Sequence, residues 1–238
     1  MKHFLLDIEG TTAPISFVHE VLFPFAKEKL DEFLTGFVWS RDQLELVRSE
    51  FEKDKLANDP DFVSHLGKGA VFSEKIIPTY FRYLILKDRK FGPLKEIQGK
   101  IWKSGYESDA IKSIIFPDVA DFLKKAKEKG IACHVYSSGS VEAQILIYKY
   151  SDIGDLREYF QSYFDTAIGG KRESSSYQNI AEKLGADIGD IVFFTDTVEE
   201  AIAAKSAGMS VFILNRPGNL PQIKHEFPVL KELGLFQV

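Results

Sequence analysis

The chain has 238 residues, of which 45% are hydrophobic, and this is enough to bury the core of one or two globular domains. Its formal net charge is -5, so there is no bulk attraction to nucleic acid or to an anionic membrane. Its single cysteine, Cys133, excludes an internal disulfide and a thiolate zinc site. No apolar run reaches the roughly 18–20 residues of a membrane helix, and the first residues lack the pattern of a signal peptide. The composition predicts a soluble, cytoplasmic protein with neither nucleic acid nor membrane as a partner.

Four short apolar runs predict the strands of a sheet. They cover residues 3–6, 131–136, 191–195 and 210–214, and each is followed by a polar residue. Runs that are apolar on both faces are typical of parallel strands covered by helices on both sides. Stripes at helical spacing over 119–126, 177–184 and 201–207 lie between these strands. The alternation predicts an α/β fold with a doubly wound parallel sheet.

Residues 14–112 show a different pattern. Apolar side chains recur there only at helical spacing, most clearly over 21–37, 44–51 and 76–85, and there is no strand pattern. The sequence therefore predicts an all-helical domain over 14–112 that is inserted into an α/β core made of residues 1–13 and 113–238. Hinges are expected near 12–16 and 105–115. An insertion after the first strand is positioned to cover the carboxyl edge of the sheet as a cap.

Polar side chains follow the predicted strands at the edge where open α/β sheets bind their ligands. Taken singly, each has a structural explanation: a solvated acidic turn, a Ser/Gly turn or helix N-cap, a surface lysine, and an acidic helix cap. Their order along the chain, with an acid pair, two hydroxyls, a lysine and an acid, is more specific than any one of them. We expect six residues to meet at this edge: Asp7, Glu9, Ser137, Ser138, Lys171 and Asp196.

This layout resembles that of the haloacid-dehalogenase-like phosphotransferases. The resemblance implies that Asp7 is the nucleophile and a ligand of one Mg²⁺ per chain. It implies that Glu9 is the acid-base residue and lies at the metal, and that Asp196 completes the metal site. Such chemistry needs carboxylates because one attacks phosphorus, another moves protons, and together they hold a cation that screens the phosphate charge.

The same resemblance gives roles to the remaining three residues. Ser137 and Ser138 would bind the phosphoryl oxygens, which suits small hydroxyls and free main-chain amides. Lys171 would balance the negative charge of the nucleophile and the phosphate. The partner implied is a small-molecule phosphate ester, and the protein is expected to be a monomer.

One family within this superfamily is similar over most of the chain. The superfamily usually has Asp where Glu9 stands, but LLDIEGTT and the following SFVHEVLFPFA resemble the start of the enolase-phosphatases (acireductone synthases) of methionine salvage. Residues 94–108, 136–144, 154–181 and 193–208 are similar as well. Asp109 and Lys149 depart from the family, which has glycine at both positions. The resemblance implies enolisation of 2,3-diketo-5-methylthiopentyl 1-phosphate and its dephosphorylation to the acireductone, 1,2-dihydroxy-3-keto-5-methylthiopentene.

The sequence leaves the base for the enolisation open. Glu9 with the magnesium is one candidate, and a side chain of the cap is another. Aromatic cap residues are also candidates for holding the apolar methylthio tail. For each cap residue, a place in the cap core or on its surface is the preferred interpretation. Six are considered: His19, Tyr80, Arg82, Lys100, Trp102 and Tyr106.

Two other functions are compatible with parts of the pattern. A broader phosphatase or phosphomutase of the superfamily would share the acids and the lysine, but Glu9 and the long cap argue against it. A receiver-like phospho-acceptor module also uses acids, a hydroxyl and a lysine around Mg²⁺. Its acceptor, however, would follow a later strand in a chain of about half this length.

Overall fold

The computed structural model describes residues 2–237, which form two compact units. The first unit contains the residues up to Glu20 and those from Tyr106 onward, and the second contains Val21–Gly105. The helical block predicted over 14–112 includes the whole second unit. Its role as a cap stays a prediction.

The first unit is built on a parallel sheet of six strands. They are β1 (His3–Leu6), β2 (Ala132–Tyr136), β3 (Phe160–Phe164), β4 (Ile191–Thr195), β5 (Ser210–Leu214) and β6 (Val229–Leu230). The strand order is β3-β2-β1-β4-β5-β6, and every pair is parallel. The order reverses between β1 and β4, so this is the point where a doubly wound sheet opens a crevice for a ligand.

Helices precede and connect these strands. After a π-helical turn at Phe17–Leu22, the α-helices described within residues 2–237 are α1 (Phe23–Leu34), α2 (Arg41–Ala57), α3 (Pro60–Leu66), α4 (Ile77–Leu86), α5 (Gly92–Glu107), α6 (Asp118–Glu128), α7 (Val141–Lys149), α8 (Ser174–Leu184) and α9 (Val198–Ala207). None of the helices in this range is long and apolar enough to span a membrane.

The sheet is buried on both faces, as its apolar runs predict. On one face Phe4 packs against Phe122 and Phe194, with ring centroids 5.1 and 5.5 Å apart. On the other face Leu5 lies in a buried cluster with Phe193 and Tyr177. Fully burying side chains of this size contributes about 1.5–3 kcal/mol each. The prediction of a doubly wound α/β fold is confirmed.

All four predicted strands are present, but β3 and β6 were not predicted. The β3 sequence, FQSYF, carries Gln161 and Ser162 where the other strands are apolar. The reason is its position at the edge of the sheet, where only one neighbouring strand pairs with it. The last strand, β6, has only two residues, which is too short to give a periodic signal.

A partly buried histidine pair joins β1 and β2. His3 Nδ1 and His134 Nε2 are 3.1 Å apart, and the rings stack with centroids 5.4 Å apart. His134 is 1% exposed, and its Nδ1 has no hydrogen-bond partner among the described residues. Burial lowers the pKa of His134 to about 4, and the neighbouring His3 adds to this effect. The imidazole is therefore neutral at pH 7.

Within the helical unit, Tyr80 belongs to the core. It is fully buried, and its hydroxyl donates to Asp54 Oδ2 at 2.7 Å. Arg89 donates to Asp54 Oδ1 at 2.8 Å and to Glu50 Oε1 at 2.6 Å, so the buried carboxylate of Asp54 is fully paired. Burial raises the pKa of Tyr80, and the hydrogen bond to Asp54 adds to the shift. Tyr80 has a structural role.

Other aromatic and basic residues considered for the cap also have partners within their own units. Trp102 Nε1 donates to the carbonyl of Leu22 at 2.8 Å. Arg82 pairs with Asp31, and Lys100 pairs with Glu96 at 2.7 Å. Tyr106 is buried in the first unit, where its hydroxyl is 2.6 Å from Ser113 Oγ. These contacts agree with the preferred interpretation of these residues as core or surface residues.

Candidate active site

The carboxyl ends of β1, β2 and β4 bring the predicted residues into one cleft. Leu6 lies beside Val135 of β2 and Phe194 of β4, so the three strands end almost level. The amide of Asp7 then donates to Phe194 O at 2.9 Å, which continues the ladder by one residue. The resulting cleft of about 230 Å³ is lined by all six predicted residues and by five others: Ile15, His19, Thr197, Glu200 and Leu220.

An ammonium between two carboxylates dominates the electrostatics of this cleft. Lys171 Nζ is 2.7 Å from Asp7 Oδ1 and 2.7 Å from Glu200 Oε2. The three side chains are only 6–11% exposed, so solvent screens these ion pairs weakly. Glu200 Oε2 also accepts a hydrogen bond from Thr195 Oγ1 at 2.9 Å. Lys171 is thus fixed between the first and fourth strands of the sheet.

The pKa values follow from burial and from this charge pattern. Burial alone would lower the pKa of Lys171, but the charges of Asp7 and Glu200 outweigh it and the net shift is upward. Burial raises the pKa of Glu200, because its charged form loses hydration and Asp7 repels it. Burial raises the pKa of Asp196 to about 6, and the charge of Asp7 is the next cause. The cleft therefore concentrates negative charge beyond what Lys171 neutralises.

The Asp7 carboxylate is held through one of its two oxygens. Oδ1 accepts from the amide of Ile8 at 2.7 Å and pairs with Lys171. Among residues 2–237, both of these side-chain contacts fall on Oδ1. The turn that follows is held by Thr12, whose hydroxyl donates to Asp7 O at 3.1 Å. Lys171 and the amide of Ile8 thus hold the Asp7 carboxylate by the same oxygen.

Lys171 lies on a loop that is fixed by three hydroxyl groups. The hydroxyls of Tyr136, Ser176 and Tyr177 donate to the carbonyls of residues 169, 170 and 171 at 2.9, 2.7 and 2.6 Å. Gly169 has φ +139, and a Cβ there would lie 2.2 Å from Ser176 Oγ, so only glycine fits. The Gly169-Gly170 turn is therefore closely packed.

The serine loop lies at the N-terminus of α7. Ser140 Oγ caps that helix by accepting from the amide of Ala143 at 3.3 Å, and Ser137 Oγ accepts from Gly139 at 3.3 Å. Gln144 Nε2 donates to the carbonyls of Gly139 and Phe164, both at 2.8 Å, and this holds the loop against β3. Free amides and hydroxyls at a helix N-terminus suit phosphate oxygens.

Comparisons with known proteins agree with this geometry. The family profile described as haloacid dehalogenase-like hydrolase matches residues 1–208. A Leptospira biflexa protein named Enolase-phosphatase E1 is 56% identical over 96% of this chain and 98% of its own. A Drosophila pseudoobscura pseudoobscura protein of the same name is 44% identical over 92% of this chain and 87% of its own. The chain belongs to the enolase-phosphatases.

Solved structures support membership of this family of haloacid dehalogenase-like hydrolases. The UTR4 protein of Saccharomyces cerevisiae is 33% identical, covers 97% of each chain and superimposes with a TM-score of 0.75. CbbY of Rhodobacter sphaeroides, crystallised with phosphate, has a TM-score of 0.60 at 18% identity over 99% of this chain and 96% of its own, and so shares the fold alone. The family predicted from the sequence is confirmed, and so is the prediction that the protein is an enzyme.

The carboxylates in the cleft of this enolase-phosphatase suit an Mg²⁺ ion that is bound by only a few protein ligands. Asp7, Glu9 and Asp196 supply hard oxygens to one cleft, and the pKa of Asp196 is raised by burial first and by the charge of Asp7 second. Among residues 2–237, no three His, Cys, Asp or Glu side chains form a ready metal cage. Mg²⁺ is commonly held by one or two carboxylates, with waters and substrate phosphate completing its shell. The assignment of all three side chains as ligands stays a prediction.

Glu200 is the site residue that the sequence interpretation missed. It lies four residues after Asp196, near the start of α9, where acidic residues are common because they stabilise the helix dipole. The available signal was its position in the first turn of α9, because the helix that follows β4 begins at the carboxyl end of the sheet.

Proposed function

We propose that this enolase-phosphatase converts 2,3-diketo-5-methylthiopentyl 1-phosphate into 1,2-dihydroxy-3-keto-5-methylthiopentene and phosphate. The observation that carries the proposal is the Asp7 carboxylate, which lines the cleft at the switch point of the sheet with its Oδ1 held by Lys171. A carboxylate fixed in this way is a nucleophile for phosphorus and needs no further activation.

The dephosphorylation proceeds in two displacements. Asp7 Oδ2 attacks phosphorus, the ester P–O bond breaks, and its electron pair leaves with the substrate oxygen, which takes a proton from Glu9. Glu9, now a carboxylate, then accepts a proton from water as that water attacks the phosphorus of the aspartyl-phosphate. The Asp7 carboxylate is restored and phosphate leaves. Lys171 offsets the charge of Asp7 throughout, and Ser137 and Ser138 bind phosphoryl oxygens.

Mg²⁺ fits the acidic side of the cleft, where Asp7, Glu9 and Asp196 would hold it. When bound, it screens the phosphate charge from the attacking carboxylate. Thr197 Oγ1 donates to Asp196 Oδ1 at 3.0 Å, which fixes the orientation of that carboxylate. One Mg²⁺ per chain, a monomeric state and a cytoplasmic location stay predictions.

Enolisation needs a base beside the carbon next to a carbonyl. Glu9 and His19 both line the cleft and carry side chains that can accept a proton, so we assign the base to one of these two. Leu220 and Ile15 line the same cleft and give it an apolar side, and Leu220 is 75% exposed. This side suits the methylthio end of the substrate.

The test is turnover of the diketo phosphate by purified protein with Mg²⁺. We expect phosphate release together with the ultraviolet absorbance of an enediol. Faster turnover of sugar phosphates or phosphoglycolate in a substrate panel would favour a broader phosphatase. Phosphate release without an enol product would contradict the proposal.

A further inference from the structure

Two amide side chains after β5 connect the loops that carry the candidate carboxylates. Asn219 Nδ2 donates to the carbonyl of Gly10 at 3.0 Å and to that of Leu214 at 3.3 Å. Gln222 Nε2 donates to the carbonyl of Asp196 at 3.0 Å and to that of Leu214 at 2.9 Å. A primary amide has two N–H protons, so each side chain uses both to join the end of β5 to one loop. We call Asn219 and Gln222 the amide brace.

The brace acts at a point where the two loops lie close to each other. A Cβ on Gly10 would lie 2.4 Å from Asp196 Oδ2 and 2.9 Å from Asn219 Oδ1. Asn219 Oδ1 itself is buried and has no hydrogen-bond partner among the described residues. A buried acceptor without a partner is costly, so the two bonds that the amide donates determine its orientation. The side-chain amide of Asn219 is thus oriented to donate to the carbonyls of Gly10 and Leu214.

The neighbouring Arg216 strengthens the connection. Its Nε donates to the carbonyl of Thr11 at 3.1 Å, and its Nη1 pairs with Asp118 at 2.8 Å. The segment from 216 to 222 therefore bonds to three main-chain carbonyls in the loops after β1 and β4. Both loops are consequently held by side chains from the segment after β5, which contributes no carboxylate to the cleft.

We propose that Asn219 and Gln222 are positioning residues that set the separation between the Glu9–Gly10 loop and Asp196, and thereby the affinity of the cleft for Mg²⁺. The inference rests on the proposed function, because it concerns the cation of that site. Mg²⁺ requires near-ideal octahedral geometry at 2.0–2.1 Å, so small shifts of a ligand loop weaken its binding. Residues that orient metal ligands typically change metal affinity by about 10- to 100-fold when replaced.

The experiment compares Asn219→Leu and Gln222→Met, which keep the approximate size of each side chain and remove its donors. Mg²⁺ binding is measured by isothermal titration calorimetry without substrate, and thermal unfolding is followed in EDTA. Each variant is expected to bind Mg²⁺ about 10- to 100-fold more weakly and to recover most of its turnover at saturating Mg²⁺. Asn215→Ala, an exposed amide in the same segment, is the matched control and should bind as the wild type does.

Folded variants with wild-type Mg²⁺ affinity would overturn the proposal. Unfolding of both variants in EDTA would overturn it as well, because the amides would then be structural. The calorimetric measurement uses no substrate. A wild-type protein that binds Mg²⁺ but leaves the diketo phosphate intact would therefore refute the proposed function alone.

Discussion

Replacing Gly10 by alanine tests how closely the two catalytic loops must approach. The new Cβ would lie 2.4 Å from Asp196 Oδ2, whereas ordinary contacts begin at 3.4 Å, so the carboxylate must move by 1.0 Å (3.4 − 2.4). Gly10 also has φ +69, which costs an alanine about 1 kcal/mol in stability. A misplacement of about 1 Å in a catalytic constellation reduces the rate by about 100-fold. We expect kcat/KM to fall by about that factor.

Gly130→Ala is the matched control for the backbone effect. Gly130 has the same φ of +69, but a Cβ there would meet no atom within 4 Å. Both variants should lose about 1 kcal/mol in urea unfolding, and only Gly10→Ala should lose activity and Mg²⁺ affinity. If Gly10→Ala kept kcat/KM within twofold of the wild type, the close approach of Gly10 to Asp196 would not matter for catalysis.

Three further changes probe the charge pair, the histidine pair and one strained turn. Glu200→Gln leaves Lys171 with a single charged partner, so kcat/KM should fall about tenfold and the alkaline limb of the pH–rate profile should move to lower pH. In the wild type, protonation of His134 in the unfolded chain should lower the free energy of unfolding by about 2 kcal/mol between pH 7.5 and pH 5. His134→Leu should remove this loss, as measured by urea unfolding at the two pH values. Asp109 has φ +58, so Asp109→Gly should raise the free energy of unfolding by about 0.5 kcal/mol, whereas Ala110→Gly, with no such φ, should lower it.

The sign of the pH effect at His134 follows from the number of protons that the folded and the unfolded chain bind. Burial lowers the pKa of the folded imidazole to about 4, below the 6.5 of a free side chain. Between these pH values the unfolded chain binds more protons than the folded protein. The free energy of unfolding therefore falls as the pH decreases through this range, and the contribution of His134 is complete above it. The leucine variant lacks this proton and should show a flatter pH dependence.

Each of these expectations has a contrary result. An unchanged alkaline limb in Glu200→Gln would mean that Lys171 does not depend on Glu200. A pH dependence equal to that of the wild type in His134→Leu would assign the acid sensitivity to other groups. Equal shifts in melting temperature for Asp109→Gly and Ala110→Gly would mean that the left-handed backbone at 109 carries no strain.

The sequence predicted the sheet where strands are buried on both faces and failed where they are not. Runs such as 191–195 are apolar throughout because helices cover both sides, and this leaves a clear pattern. Edge strands such as Phe160–Phe164 carry polar residues, and tertiary pairing decides their conformation. Local pattern therefore identifies the centre of the sheet better than its edges.

The residues of the candidate site likewise divide into those that the local sequence pattern predicts and those that depend on tertiary packing. Asp7 and Asp196 directly follow buried strands, so topology alone brings them together. Glu200 lies within a helix, and its contact with Lys171 depends on how α9 and the 165–173 loop pack on the sheet. The amide brace was also missed, because Asn219 and Gln222 lie in a loop whose bonds are made to distant main-chain carbonyls. Contacts between different loops at the edge of the sheet leave no periodic pattern of apolar residues, so the sequence alone does not predict them.

In the proposed mechanism Asp7 forms a covalent bond to phosphorus. To detect it, the enzyme is quenched during turnover and reduced with borohydride, and the modified residue is mapped by mass spectrometry. We expect conversion of Asp7 into homoserine, because borohydride reduces an acyl-phosphate and leaves a free carboxylate unchanged. Phosphate recovered on Ser137 or Ser138, or an unmodified Asp7 during active turnover, would contradict it.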